Sequence, residues 1–103
     1  MCAELLAVTL HTLNHSSFSF DVSGLLRAAG EGDVLLLIED GVYTALDANT
    51  LDRVRDAGME VRLLEPDVAA RGVGERLPVS LGLVDYAGFV ALVCDTDKTV
   101  AWF

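Results

Sequence analysis

The stretch Val34-Leu35-Leu36-Leu37-Ile38 sets the tightest limit on what this chain can fold into. Five apolar residues in a row, without polar alternation, describe a strand buried on both faces. Such a strand needs neighbours on either side and a layer above and below, which is the demand of an α/β domain. The rest of the chain supplies those parts in alternation. Leu5 to Leu10 reads as a first strand, followed by a loop, HTLNHSS. Val22, Leu25, Leu26 and Ala29 fall at i, i+3, i+4 and i+7, the helical period, with Ser19 or Asp21 to cap the helix and Gly30 to stop it.

After Ile38 the apolar run breaks at Glu39-Asp40-Gly41, and Val42 to Leu46 begins a short helix. Asn49 to Asp52 resembles a capping box for a helix that turns Leu51 and Val54 inward and ends at Gly58. Glu60 to Leu64 is a third strand, and Pro66 suits the first turn of a helix ending at Gly72. A loop with Gly74 and Pro78 leads to a fourth strand, Val79 to Val84. Tyr86, Phe89, Val90 and Val93 show helical spacing again, and Thr99 to Phe103 forms a last strand. This order predicts a mostly parallel five-stranded sheet covered on both faces. No repeat or linker divides the 103 residues, so residues 1–103 are read as one domain. In such sheets functional loops gather beyond the carboxyl ends of the strands. HTLNHSS, EDGVY, LEPD and VDYAG therefore share one rim.

Composition narrows the function classes. Hydrophobic residues make up 52% of the chain, which excludes a disordered segment. No apolar run approaches the roughly 20 residues that cross a bilayer. MCAELLAV carries an acid where a secretory signal has a base, so the expected location is the cytoplasm. Sixteen acids against seven bases give a net charge of −9, which repels nucleic acid and anionic membrane surfaces alike.

The chemistry-bearing residues give few constellations. Cys2 and Cys94 lack CxxC spacing, and so form neither a zinc signature nor a disulfide framework. Cys94, four residues after Val90, is expected on the buried face of the last helix, where a thiol acts as a small hydrophobe. His11 and His15 fall across a strand end and loop, which suits loop hydrogen bonding better than metal binding. Glu39 and Asp40 are adjacent and so point to different sides; a turn, cap or interface contact suits Asp40-Gly41 better than paired-carboxylate chemistry. The glycines complete no phosphate-binding fingerprint, and no nucleophile elbow is present. No metal or cofactor is expected. The rim and its surroundings leave His11, His15, Asp40, Gly41, Tyr43, Arg71, Asp85, Tyr86 and Trp102 as contact candidates.

Taken together, LHTLNHSSF (10–18), EGDVLLLIEDGVYTAL (31–46), DVAARG (67–72), VDYAGFV (84–90) and AWF (101–103) resemble the TusB/DsrH family of small sulfur-relay proteins, in order and spacing. The resemblance implies a flavodoxin-like domain, DsrEFH-like in its three layers, that works in a complex. The implied partners are TusC/DsrF-like and TusD/DsrE-like proteins in a dimer of heterotrimers that carries sulfur as cysteine persulfide. The complex serves tRNA wobble-uridine 2-thiolation or dissimilatory sulfur oxidation. DsrH-type members carry a cysteine in the first helix, and the matching place here is Gly24-Leu25. Neither residue can form the thiolate that persulfide transfer needs. The expectation is a subunit with no catalytic residue of its own, supporting a partner that carries the sulfur. Two alternatives stand beside it: a carrier using Cys94 or Cys2, and an independent small-ligand binder. Isolated, the chain could form homo-oligomers.

Overall fold

The computed structural model describes residues 8–77 and 81–102. Its strands are β1 (Thr9–Leu13), β2 (Val34–Leu37), β3 (Glu60–Leu64), β4 (Gly82–Val84) and β5 (Lys98–Trp102). Its helices are α1 (Ser23–Ala28), α2 (Ala48–Asp56), α3 (Glu65–Arg71) and α4 (Tyr86–Asp95), with a 3-10 segment over Glu39–Leu46. The strands lie in the order β4-β3-β2-β1-β5, and all four pairings are parallel. The expected α/β architecture with a five-stranded sheet is therefore present, with every strand of it parallel.

Handedness explains the layers. From β1 to β4 the chain steps across the sheet in one direction, and right-handed crossovers then place α1, α2 and α3 on a single face. Returning past β1 to lay down β5 reverses the direction and sends α4 to the other face. The packing follows this division. Leu25, Leu51, Val54 and Val68 from the first three helices join Leu13, Leu35, Leu37, Val61 and Leu63 of the sheet in the larger core. On the opposite face Leu10, Val34 and Leu36 are covered by Phe89 and Leu92 of α4. Every residue of β2 is buried, as its unbroken apolar run requires. Among the described residues no helix is long and apolar enough to cross a membrane.

Four local expectations are corrected. His11 to Leu13 belong to β1 rather than to a loop, and all three are buried; of the expected first strand, residues 5–7 lie outside the described residues. The cap of α2 is Asp47, whose carboxylate accepts from the backbone N–H and the hydroxyl of Thr50, so Asn49 to Asp52 is helix interior rather than a capping box. The fourth strand starts only at Gly82, and residues 79–80 of its expected span are not described. α1 has Val22 rather than Ser19 or Asp21 at its N-cap position, without a side-chain cap bond, and Ala29 rather than Gly30 at its C-cap. Asp21 accepts from Ser23 N–H at the start of α1, and Gly72 ends α3 in the left-handed conformation that glycine adopts without strain.

The break at Glu39-Asp40-Gly41 has a steric cause. A Cβ at Gly41 would lie 1.9 Å from the Leu13 carbonyl oxygen, so only glycine lets the 3-10 segment approach the end of β1. That same oxygen accepts the Ile38 N–H at 3.1 Å. Gly41→Ala therefore forces the backbone apart; the expected loss of stability is about 3 kcal/mol or more, read by urea denaturation. A variant as stable as the parent would show that this approach is not tight in solution.

Candidate functional site

The carboxyl ends of the strands form a rim locked by side chains. Glu39, at φ 50°, is the only non-glycine residue with positive φ among the described residues. Left-handed backbone at such a residue is costly and persists where neighbours hold it. Here Asp67 accepts the Glu39 N–H at 2.7 Å. Arg71 donates to Asp40 at 3.0 Å and lies 3.9 Å from Asp67, tying α3 to the 3-10 segment. The loop after β1 is pinned from the other side. Ser17 N–H donates to the Thr44 hydroxyl, and the Ser17 hydroxyl donates to Asp47. His15 is exposed and stacks on Phe20, with ring centroids 5.6 Å apart.

Beneath the rim lies a buried polar chain. His11 is 1% exposed and its Nε2 is 2.8 Å from the Asp33 carboxylate. Trp102 Nε1 donates to His11 Nδ1 at 3.0 Å. An indole N–H only donates, so Nδ1 accepts and Nε2 carries the imidazole proton toward Asp33. Asp33 also accepts from the backbone N–H groups of Thr9 and Gly30, at 3.0 and 2.9 Å. Burial pushes the Asp33 carboxyl up, but the Gly30, Thr9 and His11 hydrogen bonds outweigh it and hold the group below the usual carboxylate range.

This chain of contacts ends at the topological switch point. The connection leaving β1 goes to one face and the connection feeding β5 comes from the other, so a crevice is expected beyond their carboxyl ends. Trp102 closes β5 there. Gly24 of α1 is half-buried, and a Cβ on it would stand 3.5 Å from the indole. Leu25 is fully buried in the core. Asn14, just past β1, has a buried Oδ1 that no donor reaches among the described residues.

The structure thus separates the residues singled out from sequence. Gly24 and Trp102 meet at the crevice, with His11 bonded to Trp102 beneath it rather than standing on the rim. His15, Asp40, Gly41 and Arg71 belong to the rim and its locks, with Tyr43 half-buried in the 3-10 segment. Asp85 caps α4 by accepting the Gly88 N–H, and Tyr86 projects from that helix. Cys94 departs from expectation. It is exposed, because α4 covers the sheet with Phe89 and Leu92 and turns Val90, Val93 and Cys94 outward. Cys2 lies outside the described residues. Asp33, Asp47, Asn14 and Asp67 were not anticipated. An acid set directly before an unbroken apolar strand was the available signal for Asp33. No group of three or more His, Cys, Asp or Glu that could hold a metal ion occurs among the described residues. A cavity of about 400 Å³ lined by Gly32, Met59, Arg62 and Leu81 opens at the amino ends of the strands, away from the rim.

The fold and rim define a small all-parallel α/β domain whose strand ends gather polar side chains, with Cys94 standing apart on α4. The same fold occurs in Tm0979 from Thermotoga maritima, at TM-score 0.62 and 24% identity over 82% of this chain and 90% of that one. It occurs also in the ychN protein from E. coli, at TM-score 0.70 and 15% identity over 92% and 97%. A family model described as DsrH like protein matches residues 15–99. Protein TusB from Salmonella typhimurium and from Salmonella enteritidis are each 44% identical over 94 residues, spanning 90% of this chain and 99% of theirs. The chain belongs to the TusB/DsrH family.

The buried chain generates two expectations. Asp33 ionises more readily folded than unfolded, so its contribution is complete above the usual carboxylate range and is lost as pH falls through the folded value. Asp33→Asn turns an amide N–H toward a backbone or imidazole N–H; the expected loss at neutral pH is about 2–4 kcal/mol, with a flatter acid limb in the stability–pH curve. Trp102→Phe strands His11 Nδ1 without a donor and is expected to lose about 1–2 kcal/mol. Urea denaturation between pH 3 and 8 checks both, and unchanged midpoints would contradict them.

Proposed function

We propose that this chain is the TusB-type subunit of a sulfur-relay complex for tRNA wobble-uridine 2-thiolation, and that it supports transfer without carrying sulfur itself. The observation that carries this reading is that the place of the family's helix cysteine holds no sulfur here. The family's helix cysteine matches Gly24-Leu25, where one residue has no side chain beside Trp102 and the other is buried in the core. The likeness to TusB proteins over nearly their whole length supports the thiolation route over sulfur oxidation.

Persulfide transfer proceeds by attack of an acceptor thiolate on the outer sulfur of a donor persulfide; the old S–S bond breaks and the donor cysteine leaves as thiolate. The thiols belong to partners in this scheme, which are a TusC/DsrF-like and a TusD/DsrE-like protein in a dimer of heterotrimers. This chain supplies surface and a stiff frame. Its charge of −9 leaves contact with tRNA to the partners.

The exposure of Cys94 favours one rival reading, a carrier thiol on this subunit. Its place argues against that. Cys94 lies in α4 on the sheet face opposite α1, and the crevice beside Gly24 belongs to the α1 face.

Co-expression with the two partner proteins, followed by native mass spectrometry and persulfide mapping, separates the readings. The expected result is a stoichiometric complex with persulfide on a partner cysteine, unaffected by Cys94→Ser. Deleting the gene should lower wobble 2-thiouridine in cellular tRNA. A chain that stays alone, or stoichiometric persulfide on Cys94, would refute the proposal.

A further inference from the structure

Nine consecutive residues of α4, Tyr86 to Cys94, contain no charge, a composition that belongs to a helix covered on all sides. Only one side is covered. The helix has no buried residue, and Tyr86 and Val90 are each 62% exposed and Val93 43%. β5, which follows, pairs only with β1 and likewise has no buried residue among those described. An apolar face therefore runs along the outer side of α4 through Tyr86, Val90 and Val93, and contiguous patches of this kind mark contact sites.

Charge selects the occupant. Asp85, Asp95 and Asp97 frame the helix and are exposed, against a single exposed base, Lys98. Arg62, on the same sheet face, is engaged by Glu60. A second copy would bring acids against acids, on a chain already at −9.

We propose that the outer face of α4, with the edge of β5, docks a protein partner whose own apolar patch is flanked by lysine or arginine. This deepens the reading of the chain as a complex subunit and rests on it. Val90 forms the centre of the contact, Tyr86 and Val93 its sides, and Asp95 meets a base of the partner.

The test measures assembly of the co-expressed chain with its TusC-like and TusD-like partners, for the parent, Val90→Asp, and Asp95→Lys. Val90→Asp should weaken assembly roughly 10-fold or more, as for a central apolar contact. Asp95→Lys should weaken it less and remove part of its salt dependence. Both positions are exposed, so circular dichroism and thermal unfolding of the isolated variants should match the parent. Parent-like assembly of Val90→Asp would overturn the surface while leaving the complex intact. Failure of the parent itself to assemble would overturn the complex and the surface with it. A parent that forms homodimers sensitive to Val90→Asp would make a second copy the occupant and refute the charged-partner assignment. Assembly indifferent to salt and to Asp95→Lys would refute the basic flank.

Discussion

Burying the Asp33 carboxylate at the head of β2 is tolerable only because each lone pair turned inward meets a proton. Thr9 N–H brings in the start of β1, Gly30 N–H the chain just after α1, and His11 Nε2 the middle of β1. His11 then hands the constraint to Trp102, and so to β5. One anion thereby ties together three strands, β1, β2 and β5. An unpaired charge here would cost far more than any single hydrogen bond returns.

The rim was legible because its signals are local. Pro66 and Gly72 bound α3, the run from Val34 became a strand over Val34–Leu37 buried on every residue, with Ile38 just past it, and Glu60 to Leu64 matched β3 end for end. The glycine at the break was visible as a glycine, but its reason was not. The reason is a carbonyl twenty-eight positions earlier in the chain, at Leu13. His11 was read as loop for the same cause: a polar residue in a strand makes sense only once Asp33 and Trp102 are known to be its partners. Pairings at long sequence separation leave no periodicity behind them.

Cys94 shows a different failure. Helical spacing separates one face of α4 from the other, and an all-apolar helix gives no hint which face meets the sheet. Phe89 and Leu92 took the inner side, and the thiol went outward. The reading of burial from hydrophobicity was sound as physics. It assumed that this chain alone supplies the cover.

Both features of functional interest descend from one topological step. Because crossovers are right-handed, moving from β4 back past β1 to β5 creates the crevice where Trp102 faces Gly24, and the same move leaves a single helix to shield the other sheet face. β5 takes part in both: its last residue stands beside Gly24, and its first follows closely on the end of α4. The indole is held by one hydrogen bond to a histidine whose other nitrogen is committed to Asp33. A partner docked on α4 and the edge of β5 would bear on the indole through β5, so the proposed contact and the strand end beside Gly24 share one strand.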